Sequence, residues 1–203
     1  MHIVDGVLST EVLLTGAALT GLGLMQGMRH MPLEKIPATG ILAAMLFIAS
    51  LVHVPMGPVS VHLIMNGVAG ILLGWAVMPA LFVGLLLQAV LFGYGGVTVL
   101  GVNAFNIALP ALLVYFLIRP FLAAASDHKR FILGAIGGGL AVAGTTIMVA
   151  TSLWLSGDEF IPAAQLVLVS HIPVICIEAV LSGATLYLIG KVRPELFIEK
   201  VWQ

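Results

Sequence analysis

The sequence predicts an all-α membrane protein, a bundle of about seven transmembrane helices with its N-terminus outside and its C-terminus in the cytoplasm. Three observations lead to this fold class: the composition, the spacing of the apolar stretches and the placement of the basic residues. Of 203 residues, 61% are hydrophobic and only 8% are charged, and the mean hydropathy is +1.17. Because about 25% of the residues of a soluble domain are charged, we expect one integral membrane domain over residues 1–203.

Seven apolar stretches are separated by proline, glycine or charged residues. All but the short fourth approach the roughly 20 residues that a membrane helix needs. They cover residues 11–28, 36–53, 60–77, 79–93, 102–118, 131–155 and 161–190. The last stretch is too long for one straight helix and contains Pro162 and Pro173, which predicts a kink or a first part outside the bilayer.

The basic residues predict the orientation. All eight Lys and Arg residues fall in segments 29–35 and 119–130 or after residue 190. With the N-terminus outside, seven spans place these segments in the cytoplasm, in keeping with the positive-inside rule. The opposite side carries only acidic charges, among them Asp5 and Glu11. We therefore expect a multi-pass protein of the cell inner (plasma) membrane, surrounded by the lipid bilayer.

The composition also argues against several functions. A net charge of −1 gives no reason to expect a nucleic acid partner. The single cysteine, Cys176, can form neither an internal disulfide nor a multi-thiolate metal site. The glycine-rich FGYGGVTVLG lacks the lysine of a phosphate-binding loop and predicts a turn or re-entrant segment, and no HExxH motif occurs. We expect neither an enzyme nor a bound cofactor.

The N-terminus, MHIVDGVLSTEVLL, carries the most specific chemistry. The first basic residue is Arg29, so no secretory signal peptide is indicated, and the large side chain of His2 predicts that Met1 is retained. The Met1 amine, the amide nitrogen of residue 2 and Nδ1 of His2 can close two fused chelate rings on one metal ion. A fourth nitrogen would complete the square geometry that favours Ni(II) or Cu(II), and imidazole also suits Co(II). We interpret residues 1–10 as a metal-binding loop.

A second histidine must supply the fourth nitrogen. His62 is the best candidate, because it lies just inside the outer end of the third predicted span, within reach of an inward-folded loop. Two further histidines on the predicted external side, His53 and His171, remain alternatives. His30 and His128 fall in predicted cytoplasmic loops.

Polar side chains inside apolar spans are costly and therefore mark functional or structural sites. The set comprises Asn66, Gln88, Asn103, Asn106 and Glu178, and Asp5 joins it from the N-terminal loop. Asn66 follows His62 by four residues, which on one helix would place both on the same face. For Glu178 two interpretations stay open: a neutral or hydrogen-bonded carboxyl between helices, or a group for proton coupling or partner contact.

Small residues recur at helical spacing in the first and sixth predicted spans. The rows include Ala17 and Gly21 in the first and Gly134 and Gly138 in the sixth. Such rows let helices approach closely, either within the bundle or against a membrane partner.

These stretches together resemble one family. MHIVDGVLS is similar to the MHIxDG start of the CbiM/NikM proteins, the metal-binding S components of energy-coupling factor (ECF) transporters. The likeness continues through VPMGPVSVHLIMNGVAG and LLLQAVLFGYGGVTVLGVNAFN and, more loosely, HIPVICIEAVLSG. It implies a seven-helix substrate-binding domain that holds one Ni(II) or Co(II), as transported substrate, through the Met1 amine, the His2 amide and imidazole, and the His62 imidazole.

The resemblance also implies partners. These are a membrane T component, cytoplasmic ATPase subunits and, often, a small extra membrane subunit, with the T component docking at the Ala17/Gly21 row. Val4 replaces the proline common at that position, which removes stiffness from the loop but no ligand. The VPMGPVSVHLIMNG and LGVNAFN stretches look more like nickel-type members than cobalt-type ones.

The expected function is therefore the capture of Ni(II), or else Co(II), outside the cell for an ATP-driven ECF-type importer. The rival interpretation is a proton-coupled secondary transporter or channel that uses Glu178.

Overall fold

The computed structural model describes residues 2–51, 53–56 and 59–198, and most of these residues are helical. The helices are α1 (Thr10–Arg29), α2 (Ile36–Ala49), α3 (Asn66–Leu73), α4 (Val77–Phe92), α5 (Leu100–Ile118), α6 (Asp127–Trp154), α7 (Ile161–Ser170), α8 (Ile172–Val192) and α9 (Glu195–Ile198). Strands β1 (His2–Ile3), β2 (His53–Met56) and β3 (Val59–His62) form an antiparallel sheet in the order β1–β3–β2. The predicted helical membrane bundle is present, and the small sheet is an addition to it.

Several helical stretches of the described chain are long and apolar enough to cross a membrane. By length and composition they are Asn66–Phe92, Leu100–Phe121, Asp127–Trp154 and Asp158–Val192, with hydropathies between 1.8 and 2.2, although the first of them turns back on itself at Gly74. The apolar helix Ile36–Ala49 is shorter. The last predicted span is not one continuous helix, because α7 ends at Ser170 and α8 begins at Ile172.

Helix α1 starts directly after the N-terminal loop, at a residue suited to cap it. The Ser9 side chain accepts a hydrogen bond from the Val12 amide at 3.5 Å, and Glu11 lies in the first turn, where a negative charge complements the helix dipole. Further along, the Thr20 hydroxyl donates to the Gly101 carbonyl at 2.6 Å. This contact ties α1 to the start of α5, the helix that supports the N-terminal loop.

The third predicted span, 60–77, is wrong as a single helix. Val59–His62 is a strand that pairs with β1 on one side and β2 on the other, and a helix begins only at Asn66. The strand satisfies its backbone groups through these neighbours, and the β-branched valines of VSVH favour extended structure. Helix α2 likewise stops at Ala49, before the predicted boundary at residue 53.

The chain reverses direction at Gly74, between α3 and α4. Gly74 has φ +54, a left-handed conformation that glycine adopts without steric cost. Asn66, at the start of α3, donates to the Ile107 carbonyl of α5. Gly74, just after α3, lies against the ring of Tyr115, which is further along α5. Helix α3 therefore runs parallel to α5. Helix α4 runs back, so that its Gln88 lines the same small cavity as His62.

Helices α6 and α8 pack through small residues. A Cβ added to Gly138 would lie 2.3 Å from Ser182 Oγ, and one added to Gly134 would lie 3.0 Å from the Gly183 Cα. The glycine row of the sixth predicted span therefore serves packing within the bundle, the first of its two proposed uses.

Candidate metal centre

The register of the sheet brings His2 and His62 together. His2 pairs with Ser60 across the antiparallel β1–β3 ladder. Residues two apart in a strand share one face, so His62 is the diagonal neighbour of His2. The two imidazole centroids are 4.5 Å apart with the rings tilted by 32°. Only 2% of His2 and 5% of His62 is exposed, so the pair forms a nearly enclosed centre.

Asn103 fixes the backbone next to His2. Its Oδ1 accepts from the Ile3 amide and its Nδ2 donates to the Ile3 carbonyl, both at 3.0 Å. The side-chain amide thus pairs with Ile3 as a neighbouring strand would. Because Ile3 is fully buried, both backbone groups depend on protein partners.

Asp5 ties the N-terminal loop to the glycine-rich stretch between α4 and α5. Its Oδ1 accepts from the Thr98 hydroxyl and from the Val99 amide, the latter at 3.2 Å. Its own amide donates to the Gly95 carbonyl at 3.0 Å. A Cβ on Gly96 would lie 2.0 Å from the Asp5 carboxyl carbon, so this glycine leaves room for the carboxyl group.

The glycine-rich stretch therefore has a role that the sequence analysis missed. It forms the turn predicted from its glycines, and it is also the cradle for the N-terminal loop. A Cβ on Gly95 would lie 3.2 Å from the His2 Cβ. The sequence feature that could have indicated this role is the cluster of glycines shortly before Asn103, the polar residue that begins the contacts of α5 with the N-terminal loop.

His62 is held in one tautomer. Its Nδ1 lies 2.8 Å from the Leu63 carbonyl oxygen, which can only accept, so Nδ1 carries the proton and Nε2 the lone pair. The pKa of His62 is lowered to about 4, chiefly by burial, with a smaller contribution from the nearby His171 and against the opposing effect of the hydrogen bond to Leu63. The imidazole is neutral at pH 7, the form that can ligate a metal ion.

Asn66 does not orient His62, and the prediction that they share a helix face is wrong. His62 ends β3, whereas Asn66 is the first residue of α3. The Asn66 Nδ2 donates to the Ile107 carbonyl and to Thr145 Oγ1, both at 3.0 Å. It therefore joins α3 to α5 and α6.

Two other predicted polar residues join helices. Gln88 Nε2 donates to Ser50 Oγ, which connects α4 to the end of α2 beside the cavity that His62 also lines. Asn106 Nδ2 donates to Ser152 Oγ at 3.0 Å and connects α5 to α6. Neither of these hydrogen bonds involves the N-terminal loop.

Glu178 contacts the segment next to His62. This side chain of α8 is fully buried, and its Oε1 accepts from the Ile64 amide and, at 2.8 Å, from the Met65 amide. Of the two interpretations left open from the sequence, these contacts match the hydrogen-bonded carboxyl. The contacts lie with a loop, however, and not with another helix.

The remaining histidines occupy other positions. His53 is opposite His62 in the β2–β3 backbone register, and His171 is fully buried with Nδ1 2.7 Å from the Val167 carbonyl. His30 stacks on Trp75 near the chain reversal, and His128 is exposed at the start of α6. The predicted ligand Met1 lies outside the described residues.

The donor set of the centre is small. Among the described residues, no group of three or more His, Cys, Asp or Glu side chains could hold a metal ion. The side-chain donors that the described structure brings together here are the imidazoles of His2 and His62, a ligand type that suits Ni(II), Cu(II) and Zn(II).

Comparison with known proteins identifies the family. Residues 2–196 match the family CbiM, described as the cobalt uptake substrate-specific transmembrane region. The chain belongs to the CbiM family. A relative from Haemophilus influenzae, named a putative metal transport protein, is 42% identical over 198 residues, which cover 97% of this chain and 96% of the relative. The fused nickel transport protein NikMN of Rhodobacter capsulatus is 36% identical over 114 residues, or 53% of this chain and 33% of that protein.

Solved structures share the fold. A crystal structure of a transition metal transporter superposes with a TM-score of 0.74 at 26% identity, covering 95% of this chain and 93% of that one. The S component for biotin from an ECF-type ABC transporter gives a TM-score of 0.61 at 20% identity, covering 82% and 96%, a likeness of fold alone. The chain thus belongs to a family that is described as the substrate-specific transmembrane region of cobalt uptake, a family of transport components.

Proposed function

We propose that this CbiM-family chain captures Ni(II) outside the cell as the S component of an ATP-driven ECF-type importer. The observation that carries the proposal is the buried pair of His2 and His62, 4.5 Å apart between ring centroids. The proposed ligands are the Met1 amine, the amide nitrogen and Nδ1 of His2, and Nε2 of His62.

The 4.5 Å spacing agrees with this ligand set. In a square of nitrogens, the amide of residue 2 stands between the amine and the His2 imidazole, so the fourth corner is adjacent to that imidazole. With metal–nitrogen distances of about 2.0–2.1 Å, each ring centroid lies about 3.2 Å from the ion. Two adjacent corners then separate the centroids by about 4.5 Å, whereas opposite corners would separate them by about 6.4 Å.

Nickel is proposed over cobalt because a deprotonated amide with amine and imidazole nitrogens favours a square-planar ion. The nickel name of the Rhodobacter relative is consistent with this choice, while the family description names cobalt. Competition between the two ions for the purified protein would decide it.

The proposed orientation places the centre outside in a bundle of seven crossings. The reversal at Gly74 makes α3 and α4 run in opposite directions, which a count of seven crossings requires. Arg29 ends α1 near the region where His30 stacks on Trp75, away from the His2–His62 centre. Basic residues at that end are consistent with a cytoplasmic location.

The proposed partners are a membrane T component, cytoplasmic ATPase subunits and a small additional membrane subunit. The fold shared with the biotin S component supports this division of labour. Gly21 is exposed with nothing within 4 Å of an added Cβ, so this part of α1 is open to a partner helix. The backbone of Ala17 packs against Gly101 of α5, while the residue as a whole remains exposed. We therefore propose the Ala17/Gly21 row as the surface on which the T component docks.

Metal analysis of the purified chain with an untagged N-terminus tests the proposal. We expect one Ni(II) per chain in the wild type and a large loss in His62→Ala. Stoichiometric, full-affinity nickel in His62→Ala would show that the ion binds elsewhere.

A further inference from the structure

Glu178 and His62 contact the same peptide group from opposite sides. The carbonyl of Leu63 accepts from Nδ1 of His62 at 2.8 Å, and the amide of Ile64 donates to Oε1 of Glu178. The Leu63 carbonyl and the Ile64 amide belong to one planar peptide unit, whose C=O and N–H point in opposite directions. The carboxyl of Glu178 is thus connected to the imidazole of His62 through a rigid plane.

The segment that Glu178 contacts, Ile64 and Met65, needs hydrogen-bond acceptors from elsewhere in the protein. Helix α3 begins inside the bundle, where Asn66 is fully buried, so the backbone amides just before it need acceptors from the protein. The residue before α3, Met65, has φ +53 and makes no side-chain cap hydrogen bond. This conformation is rare for a residue other than glycine. By accepting from the amides of Ile64 and Met65, Glu178 stabilises this otherwise unfavourable turn before α3.

From these contacts we infer that Glu178 is a positioning residue for the metal centre. It is not a ligand: it fixes the peptide plane that selects the tautomer of His62 and sets the direction of its ring. Outer partners of metal-ligating histidines orient the ring and raise its basicity, and losing them costs about 10- to 100-fold in metal affinity. The inference rests on the proposed function in one respect, that His62 binds the ion.

Three substitutions of Glu178 show whether the position of its hydrogen-bond acceptor or its charge is what matters for nickel binding. Glu178→Gln keeps an oxygen that can accept both amides at the same reach, Glu178→Asp keeps the charge on a stem one methylene shorter, and Glu178→Met keeps the length without an acceptor. Nickel affinity, measured by competition with a chelator, is expected to fall less than about threefold in Glu178→Gln and about 10- to 100-fold in Glu178→Met. Glu178→Asp should lie between them. It also carries the test if Glu178→Met does not fold.

The absorption spectrum of bound Ni(II) at saturating metal reports the arrangement of the ligands, and a general loss of protein stability does not change it. The ligand-field band of Glu178→Gln should match the wild type, and those of Glu178→Asp and Glu178→Met should be displaced, because the His62 ring turns out of the ligand plane. Asn106→Leu is the matched control: it removes a buried interhelical hydrogen bond to Ser152 and should leave both affinity and band unchanged.

The outcomes distinguish the inference from the proposed function. Wild-type affinity and absorption in folded Glu178→Met, with binding lost in His62→Ala, would overturn the positioning role and leave the ligand set intact. A larger loss in Glu178→Gln than in Glu178→Asp would also overturn it, since charge would then matter more than acceptor position. Full binding by His62→Ala would overturn the proposed ligand set itself.

Discussion

Asn103 holds both the amide and the carbonyl of Ile3, each through a hydrogen bond of 3.0 Å. One side chain of α5 thereby determines where the residue after His2 lies.

Replacing Asn103 by leucine should weaken nickel binding about tenfold or more. Both buried backbone groups of Ile3 lose their Asn103 partner, and each unsatisfied group costs about 1–3 kcal/mol. The measurement is a nickel titration of the purified protein. Asn106→Leu on the same helix is the control, because its partner is Ser152. Equal losses in the two variants would mean that helix packing, and not the hold on Ile3, explains the effect.

Adding one uncleaved residue before Met1 should abolish high-affinity metal binding and leave the fold intact. The extension converts the amine into an amide, and the five-membered chelate ring that the amine closes is lost. Metal analysis together with a thermal melt of the extended chain checks both parts. Equimolar nickel at full affinity in the extended chain would contradict the role of the terminus.

His62→Ala should weaken binding far more than His30→Ala or His128→Ala. Only the first of these imidazoles lies beside His2, whereas His30 stacks on Trp75 and His128 is exposed. Parallel titrations of the three variants give the comparison. If all three lose affinity equally, the ligands must be sought at His53 or His171.

Gly96→Ala should reduce nickel affinity by displacing Asp5. The added Cβ would lie 2.0 Å from the Asp5 carboxyl carbon, and φ at this position is +140. Unfavourable backbone of this kind costs about 1–3 kcal/mol. Gly40→Ala is the control, because a Cβ there meets nothing within 4 Å. A normal affinity in Gly96→Ala would show that the glycine-rich stretch does not support the centre.

Purified protein in liposomes should bind Ni(II) yet fail to accumulate it until a T component and ATPases are added. Under an imposed pH gradient, uptake by the chain alone that disappears in Glu178→Gln would support the rival proton-coupled transporter. On the present proposal Glu178→Gln keeps nearly normal nickel affinity, because the amide oxygen still accepts from Ile64 and Met65.

The sequence predicts much of this protein because its main signals are local. Apolar runs indicate the spans, and the first of them, predicted over residues 11–28, matches α1 (Thr10–Arg29). The neighbourhood of His2 and His62 was expected from chelate chemistry and the family resemblance. Strand β3 was missed because a short apolar run with β-branched residues cannot be separated from a helix segment by periodicity.

The contacts that support the centre could not be predicted in the same way. Glu178 lies 114 residues from Ile64, and Asn103 lies 100 residues from Ile3. Each pairing depends on how several helices pack, and the sequence indicated only that a buried polar group needs a partner. The role of Gly96 was hidden for the same reason, since the space it provides is filled by Asp5 of the N-terminal loop, 91 positions earlier in the chain.

The near-complete burial of His2, with 2% of the residue exposed, has a kinetic consequence. If the proposed ligand set holds, we expect an ion enclosed at this position to exchange when the first residues separate from β3 and Asn103. Its dwell time would then depend on the free energy of that local opening as well as on the strength of the metal–nitrogen bonds. Variants at Asp5 or Gly96 would accordingly shorten retention even where the four ligands are unchanged.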